Sequence, residues 1–205
     1  MTEFRDTLFG DMPLAMWAAG GKGEPWARFK LAATRLSTSD RAEAVAALQA
    51  VIARADLESR HYLEAWMGLR DAGVAPPHDL AKRVLGVVLD VPMPNGVDTL
   101  AAYADGHARY LNFSGASIVW DAPDARLDPQ VKALLRAGQA LANAIGPWEG
   151  ARPPLNEGRA RISLLTPSGL HFGDGPFEAF MQDPNAAPVL QAGTELMRAL
   201  IGLQP

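Results

Sequence analysis

Three side chains suited to acid–base chemistry or to gripping an anion occur at alternate positions: Asp105, His107 and Arg109. Histidine titrates near neutral pH, and arginine forms paired hydrogen bonds with carboxylates and phosphates. If His107 and Arg109 belong to one strand, they share a face of it, so both are candidate catalytic residues. The competing interpretation is structural: Asp105 and Gly106 form a turn, and Arg109 stacks on Trp120 as a cation–π pair. We favour the structural interpretation.

A carboxylate and an imidazole three residues apart, Glu58 and His61, have the spacing with which helices bind iron. Di-iron bundles need two such pairs and two further glutamates from other helices. This chain has one pair, and Glu64 lies off that helix face. We therefore predict that Glu58 and His61 belong to a solvated helix surface.

Other motifs for metals and cofactors are incomplete. Asp121, Asp124 and Asp128 lack the alternate spacing, turn glycine and closing glutamate of a calcium loop, and turn formation or helix capping explains them. The glycines around Lys22 do not have the spacing of a phosphate-binding loop. No serine-nucleophile motif is present, and His171 has no evident acidic partner in the sequence. We predict neither a metal site nor a cofactor.

The composition restricts the class of protein. A chain of 205 residues with 48% hydrophobic and 20% charged residues is ordinary for a globular protein. It has no cysteine, which excludes disulfides and thiolate chemistry. A net charge of −4 without a basic block disfavours a nucleic-acid partner. No apolar run is long enough to span a membrane, and no export signal is apparent, so we expect a cytoplasmic protein without a membrane partner.

The elements that must position the chemical groups are strands joined by short turns. A β-branched apolar run, 84–89, is followed by Pro92 and Pro94, which we expect to stop it. Asp-Gly at 105–106 and Ser-Gly at 114–115 then separate three further runs at 97–104, 107–113 and 116–120. Read as two-residue turns, they place Leu100 opposite Leu111 and Leu111 opposite Ile118.

This register sorts the side chains onto two faces, because successive residues of a strand point to opposite sides. The predicted core face consists of Leu100, Ala102, Leu111, Phe113, Ile118 and Trp120. The other face carries Thr99, Tyr103, Tyr110, Asn112, Ser117 and Val119. Of these, Tyr103, Tyr110 and Asn112 are our candidate binding residues, as a polar and aromatic recognition patch. The alternative, which we favour, is that the N-terminal helices cover this face.

The whole chain reads as an α+β protein. Residues 1–80 form an antiparallel helical bundle with helices at 26–36, at 57–70 and between them from a cap at Ser39 or Asp40. Residues 81–205 form a mainly antiparallel sheet of five or six strands, with a hairpin at 161–173 and a long backing helix at 129–145. We expect the two parts to be one compact unit. This architecture is similar to that of profilin-like and roadblock-like binding modules, a fold-level analogy without a shared motif.

The function that these observations favour is a non-enzymatic protein-binding or regulatory module, such as an adaptor, a scaffold or an immunity-type inhibitor. Its partner is a protein or a second copy of the chain, since free sheet edges can pair as homodimers. The alternative is a small hydrolase or ligand-binding enzyme with its site between the helical half and the sheet. A deep pocket lined by Tyr103, His107, Arg109, Tyr110 and Asn112 would favour the enzyme. A flat or filled junction would favour the module.

Overall fold

A computed structural model describes residues 5, 7–38, 40–121 and 124–203. The N-terminal half contains five helices in this part of the chain. They are α1 (Leu14–Ala18), α2 (Trp26–Ser37), α3 (Arg41–Ile52), α4 (Ser59–Asp71) and α5 (His78–Ala81). Asp40 caps α3 by accepting a hydrogen bond from the Glu43 N–H, as predicted, and Gly73 follows α4 with a φ of 83°. The alternative cap, Ser39, lies outside the described residues.

The second half alternates hairpins with helices. Four strands come first: β1 (Gly86–Met93), β2 (Gly96–Tyr103), β3 (Ala108–Leu111) and β4 (Ser117–Trp120). They are followed by α6 (Asp128–Ala144), β5 (Arg159–Thr166), β6 (Gly169–Pro176), α7 (Phe177–Gln182) and α8 (Ala186–Gly202). The described strands form one antiparallel six-stranded sheet with the order β4-β3-β2-β1-β5-β6. The predicted α+β class and the predicted antiparallel sheet of five or six strands are confirmed.

The predicted end of the first strand is wrong. β1 lies in the middle of the sheet, between β2 and β5, and it continues through Pro92, which lies opposite Val97. Proline is tolerated there because the ladder between β1 and β5 ends at Asp90 and Arg161, so Pro92 lies beyond the part of β1 with two neighbours. The apolar run is therefore part of a central strand, and Pro92 does not stop it.

The predicted register of the two hairpins is wrong by one residue. Tyr103 N–H donates to the His107 carbonyl and Gly106 N–H to the Tyr103 carbonyl, so the first loop has three residues. Gly106 has a φ of 88°. This is the loop in which a type I turn is closed by a residue in the left-handed region, rather than a two-residue type I′ turn. The second hairpin repeats it: Asn112 N–H donates to the Ala116 carbonyl, and Gly115 has a φ of 96°.

The one-residue difference moves side chains to the opposite face. Leu100 lies opposite Tyr110, and Tyr110 lies opposite Ile118, so Tyr110 shares the face of these core residues. Leu111 lies instead opposite Thr99 and packs against the cluster of the other face. Tyr103 and Tyr110, predicted on one face, lie in the clusters on opposite sides of the sheet.

Helices cover both faces. One face packs on α6 and α8 around Val87, Leu134, Ile162 and Leu196. The other packs on α4 and the segment before α1, through Leu63, Leu8 and Phe9. The N-terminal helices have a core of their own, to which α4 contributes Ala65, Trp66 and Leu69. Helix α4 thus joins the bundle to the sheet. In the described part of the chain, no helix is both long enough and apolar enough to cross a bilayer.

Candidate functional site

The turn between β2 and β3 is bonded to the start of α4. The Asp105 carboxylate accepts hydrogen bonds from the backbone N–H groups of Ser59 (2.5 Å) and His107 (3.0 Å), and Asp105 N–H donates to Ser59 Oγ (3.2 Å). His107 Nδ1 lies 2.9 Å from the same carboxylate. Burial opposes ionisation of Asp105, but these donors together hold its pKa below the usual value. The contacts of Asp105 and His107 therefore hold the β2–β3 turn against the start of α4.

Arg109 is buried, and its guanidinium is held by groups of the same hairpin. It donates to the carbonyls of Ala108 (3.0 Å) and Trp120 (3.3 Å), and it forms an ion pair with Asp121. The predicted stacking of Arg109 on Trp120 is wrong, because the register places the two side chains on opposite faces. The guanidinium of Arg126 lies over the Trp120 ring instead, at 4.8 Å.

The candidate binding residues are separated by the sheet. Tyr103 is fully buried, and its hydroxyl donates to the Leu8 carbonyl at 2.7 Å. This agrees with the expectation that in-chain elements cover its face. On the opposite face, Tyr110 lines a small apolar cavity of about 190 Å³ against α8, and its hydroxyl accepts a hydrogen bond from Asn112 Nδ2. Tyr103 and Tyr110 therefore do not form one recognition patch.

The prediction that His61 lies on a solvated helix surface is wrong. Its ring is buried among Trp17, Trp26 and Phe29, with ring centroids 5.1 to 6.2 Å away. Burial lowers the pKa of His61, because it disfavours the charged form of the ring. Glu58 precedes the first residue of α4 and pairs with Arg60, so it does not share a helix face with His61.

A buried carboxyl and a serine–histidine contact are visible only in three dimensions. Glu64 is fully buried on α4, and burial raises its pKa to about 8.

Ser168 Oγ lies 3.0 Å from His171 Nε2 at the β5–β6 turn, and Thr166 Oγ1 is 2.9 Å from the same hydroxyl. Because His171 is fully buried, this contact fixes the turn rather than exposing a base to a substrate. Among the described residues, no cluster of three or more potential ligands is arranged to hold a metal ion.

The outer edge at β6 is partly covered. The backbone N–H of Trp148 donates to the Leu170 carbonyl at 2.6 Å, and the indole ring of Trp148 packs edge-on against Phe172. Arg161 holds the following loop through the carbonyls of Pro153 and Pro154. The bond from Trp148 occupies a backbone carbonyl that β6 would otherwise offer to another strand.

The opposite edge, β4, is open. No described strand lies beyond it. Ala116 directs its carbonyl toward β3, where it accepts from Asn112 N–H. Because backbone groups alternate in direction along an antiparallel strand, Ser117 and Val119 direct theirs away from β3. Val119 is 45% exposed. Within the described part of the chain, this edge therefore presents backbone groups without a hydrogen-bond partner beside an apolar side chain.

This open edge is the candidate interaction site. From the sequence we predicted only that a free sheet edge can pair with another copy, and not that β4 is that edge. The strand 116–120 was predicted, but its position at the outer end of the sheet depends on β5 inserting beside β1. Comparisons with protein-family models, with curated proteins and with solved structures give no match, so the analogy to profilin-like and roadblock-like modules receives no support from them.

Proposed function

We propose that the protein is a binding module that works by strand addition at β4, and that the strand it receives is β4 of a second copy. The observation that carries this proposal is the outward-facing backbone of Ser117 and Val119, at an edge beside which the described residues place no further strand. Unpaired edge groups are a ready template for another strand, and natural monomers usually blunt them. In β4 no proline or lysine does so.

The geometry of β4 suits pairing about a two-fold axis. In such a pair, the two β4 strands run antiparallel. Each side chain of one copy then lies next to a side chain of the other copy on the same face of the joined sheet. An axis at Val119 places the two copies of this residue opposite each other, so that their outward N–H and carbonyl groups bond reciprocally. The same register places Ile118 of one copy opposite Trp120 of the other, on the face that carries α6 and α8.

The side chains support the same register. Ile118 and Trp120 are partly exposed on their face, and Val119 is exposed on the other. Pairing would therefore bury apolar surface on both sides of the joined sheet. A strand of four residues gives a small contact, so we expect the dimer to dissociate on dilution.

The enzyme alternative receives less support. Of its five candidate residues, Tyr103 and Arg109 are buried and bonded within the chain, and Asp105 engages His107. Tyr110 lies on the other side of the sheet, with Asn112 as its hydrogen-bond partner. The residues that this hypothesis assigns to one pocket are therefore dispersed. The junction between the helical half and the sheet does hold a cavity, but none of the five residues lines it.

Light scattering coupled to size-exclusion chromatography tests the proposal over a concentration series. We expect the wild type to shift from monomer to dimer as its concentration rises. Val119→Pro removes the outward N–H without removing a bond to β3, and Val119→Lys adds a charge that blunts an edge. Both variants should remain monomeric at every concentration.

The matched control is Ile201→Lys, since Ile201 is 48% exposed on α8 and Val119 is 45% exposed. This variant should dimerise as the wild type does. Circular dichroism of all variants checks that the fold is retained. A wild type that stays monomeric, or Val119 variants that dimerise normally, would contradict the proposal.

A further inference from the structure

A cavity of about 450 Å³ lies between the helical half and the sheet. Its walls come from the end of α3 and the loop after it, from α4, from α5 and the segment after it, and from the β2–β3 and β5–β6 turns. The volume is within the range of small-molecule sites. None of the candidate binding residues Tyr103, Tyr110 and Asn112 lines it. The cavity is thus a separate feature from the open edge at β4.

The apolar part of the lining includes Ile52, Trp66, Leu80 and Leu85. Trp66 and Leu85 are buried residues of the bundle and of the sheet, so two rigid cores hold this surface in place. Ile52 and Trp66 also line an adjoining cavity of about 330 Å³. A flat or branched apolar group would find contact on several sides here.

The polar groups of the lining are mostly engaged. The carboxylate of Asp105 is bonded to two backbone N–H groups, and Ser59 Oγ accepts a third. The Tyr62 hydroxyl donates to the Arg54 carbonyl, and the Arg54 guanidinium pairs with Asp56. The carboxylate oxygens of Asp105 are therefore already occupied by hydrogen-bond donors from the chain.

Arg83 differs from these groups. It lines the cavity and is exposed, and its guanidinium has no hydrogen bond or ion pair with any residue that the structure describes. A free guanidinium offers two parallel N–H groups to a carboxylate. Arg83 is therefore a charged group of the lining that could bind an anionic ligand without giving up a contact with a described residue.

We propose that this cavity binds a small carboxylate with an aromatic body, whose carboxylate is held by Arg83 and whose ring packs against Trp66, Leu80 and Leu85. Arg83 and the apolar wall belong to the same cavity, which places an anion site beside a ring site. The assignment does not depend on strand pairing at β4.

Calorimetric titration with 1-naphthylacetate and with its neutral counterpart 1-naphthylacetamide tests this proposal, because the two probes share a ring and differ in charge. We expect the acid to bind about tenfold more tightly than the amide, as a charge-assisted hydrogen-bond pair provides. In Arg83→Gln this preference should disappear while binding of the amide is unchanged. Arg198→Gln, which alters an exposed arginine on α8, should keep the preference.

Amide and indole chemical shifts locate the probe in the same samples. Shifts should concentrate at Trp66, Leu80, Leu85 and Ala104. The proposal is overturned if neither probe binds, if the amide binds as tightly as the acid, or if Arg83→Gln and Arg198→Gln behave alike. Shifts concentrated around Tyr110 and α8 would also overturn it, since they would place the probe in the cavity on the other face.

Discussion

The carboxylate of Asp105 accepts a hydrogen bond from the backbone N–H of Ser59, at 2.5 Å, and so joins the β2–β3 turn to the first residue of α4. The N-terminal N–H groups of a helix have no partner within the helix. Here the partner comes from a residue 46 positions away in the sequence. One carboxylate thus caps a helix of the bundle and fixes a turn of the sheet.

Removing this carboxylate should destabilise the protein. We expect Asp105→Ala to lower the free energy of unfolding by about 1–2 kcal/mol, as loss of a helix cap does. Asp105→Asn, which keeps one acceptor oxygen, should cost less. The pKa of Asp105 is lower in the folded state than in the unfolded state. The ionised carboxylate therefore stabilises the fold at pH values above the unfolded-state pKa, and this stabilisation is lost as the pH falls through the folded-state pKa. The difference between Asn and Asp should therefore shrink in acid, as measured by urea unfolding at several pH values.

Glu64 should make the protein less stable as pH rises. Its folded pKa of about 8 lies above the unfolded value, so between about pH 4.5 and 8 the folded state holds a proton that the unfolded state has released. Stability should fall with increasing pH in this window, by at most about 1.4 kcal/mol per unit. Glu64→Gln, which is neutral throughout, should remove this slope and be more stable than the wild type at pH 8. An unchanged slope in the variant would show that Glu64 is not its source.

Replacing each of two glycines of α8 by alanine should change the stability of the protein differently. A Cβ at Gly193 would overlap Leu89 Cδ1, whereas a Cβ at Gly202 would meet nothing within 4 Å. Gly193→Ala should therefore cost about 1–3 kcal/mol through overpacking. Gly202→Ala lacks this contact, and the helix preference of alanine should leave stability unchanged or slightly raised. Thermal unfolding of the two variants side by side checks the close packing of α8 on β1.

The order of the elements could be predicted because it follows from local patterns. The β-branched run of β1, the glycine turns and the apolar stripe of α6 each indicate their own structure without reference to distant residues. This is why the α+β class and the antiparallel sheet follow from the sequence.

The register could not be predicted, because Asp-Gly and Ser-Gly fit both two-residue and three-residue loops. In the structure, the Asp105 side chain bonds to Ser59 and His107, and the Asn112 side chain accepts from Ser114 N–H within the second loop. The first of these contacts depends on tertiary structure, and the choice of loop then decides the face of every residue in β3 and β4.

The burial of His61 and the openness of β4 depend on tertiary structure in the same way. His61 is buried because α1 and α2 bring Trp17, Trp26 and Phe29 around it, and no local pattern around His61 reports those rings. β4 is an edge because the β5–β6 hairpin joins the sheet beside β1. Sequence spacing alone carries neither fact.

Amide hydrogen exchange at Val119, measured by NMR at low and high protein concentration, tests strand pairing at β4 most directly. The Val119 N–H points away from β3, whereas that of Ile118 points toward β3 and serves as an internal control. We expect exchange at Val119 to slow markedly as concentration rises, with Ile118 protected at both concentrations. Rapid exchange at Val119 under conditions where light scattering shows a dimer would contradict the account, because the copies would then meet through another surface.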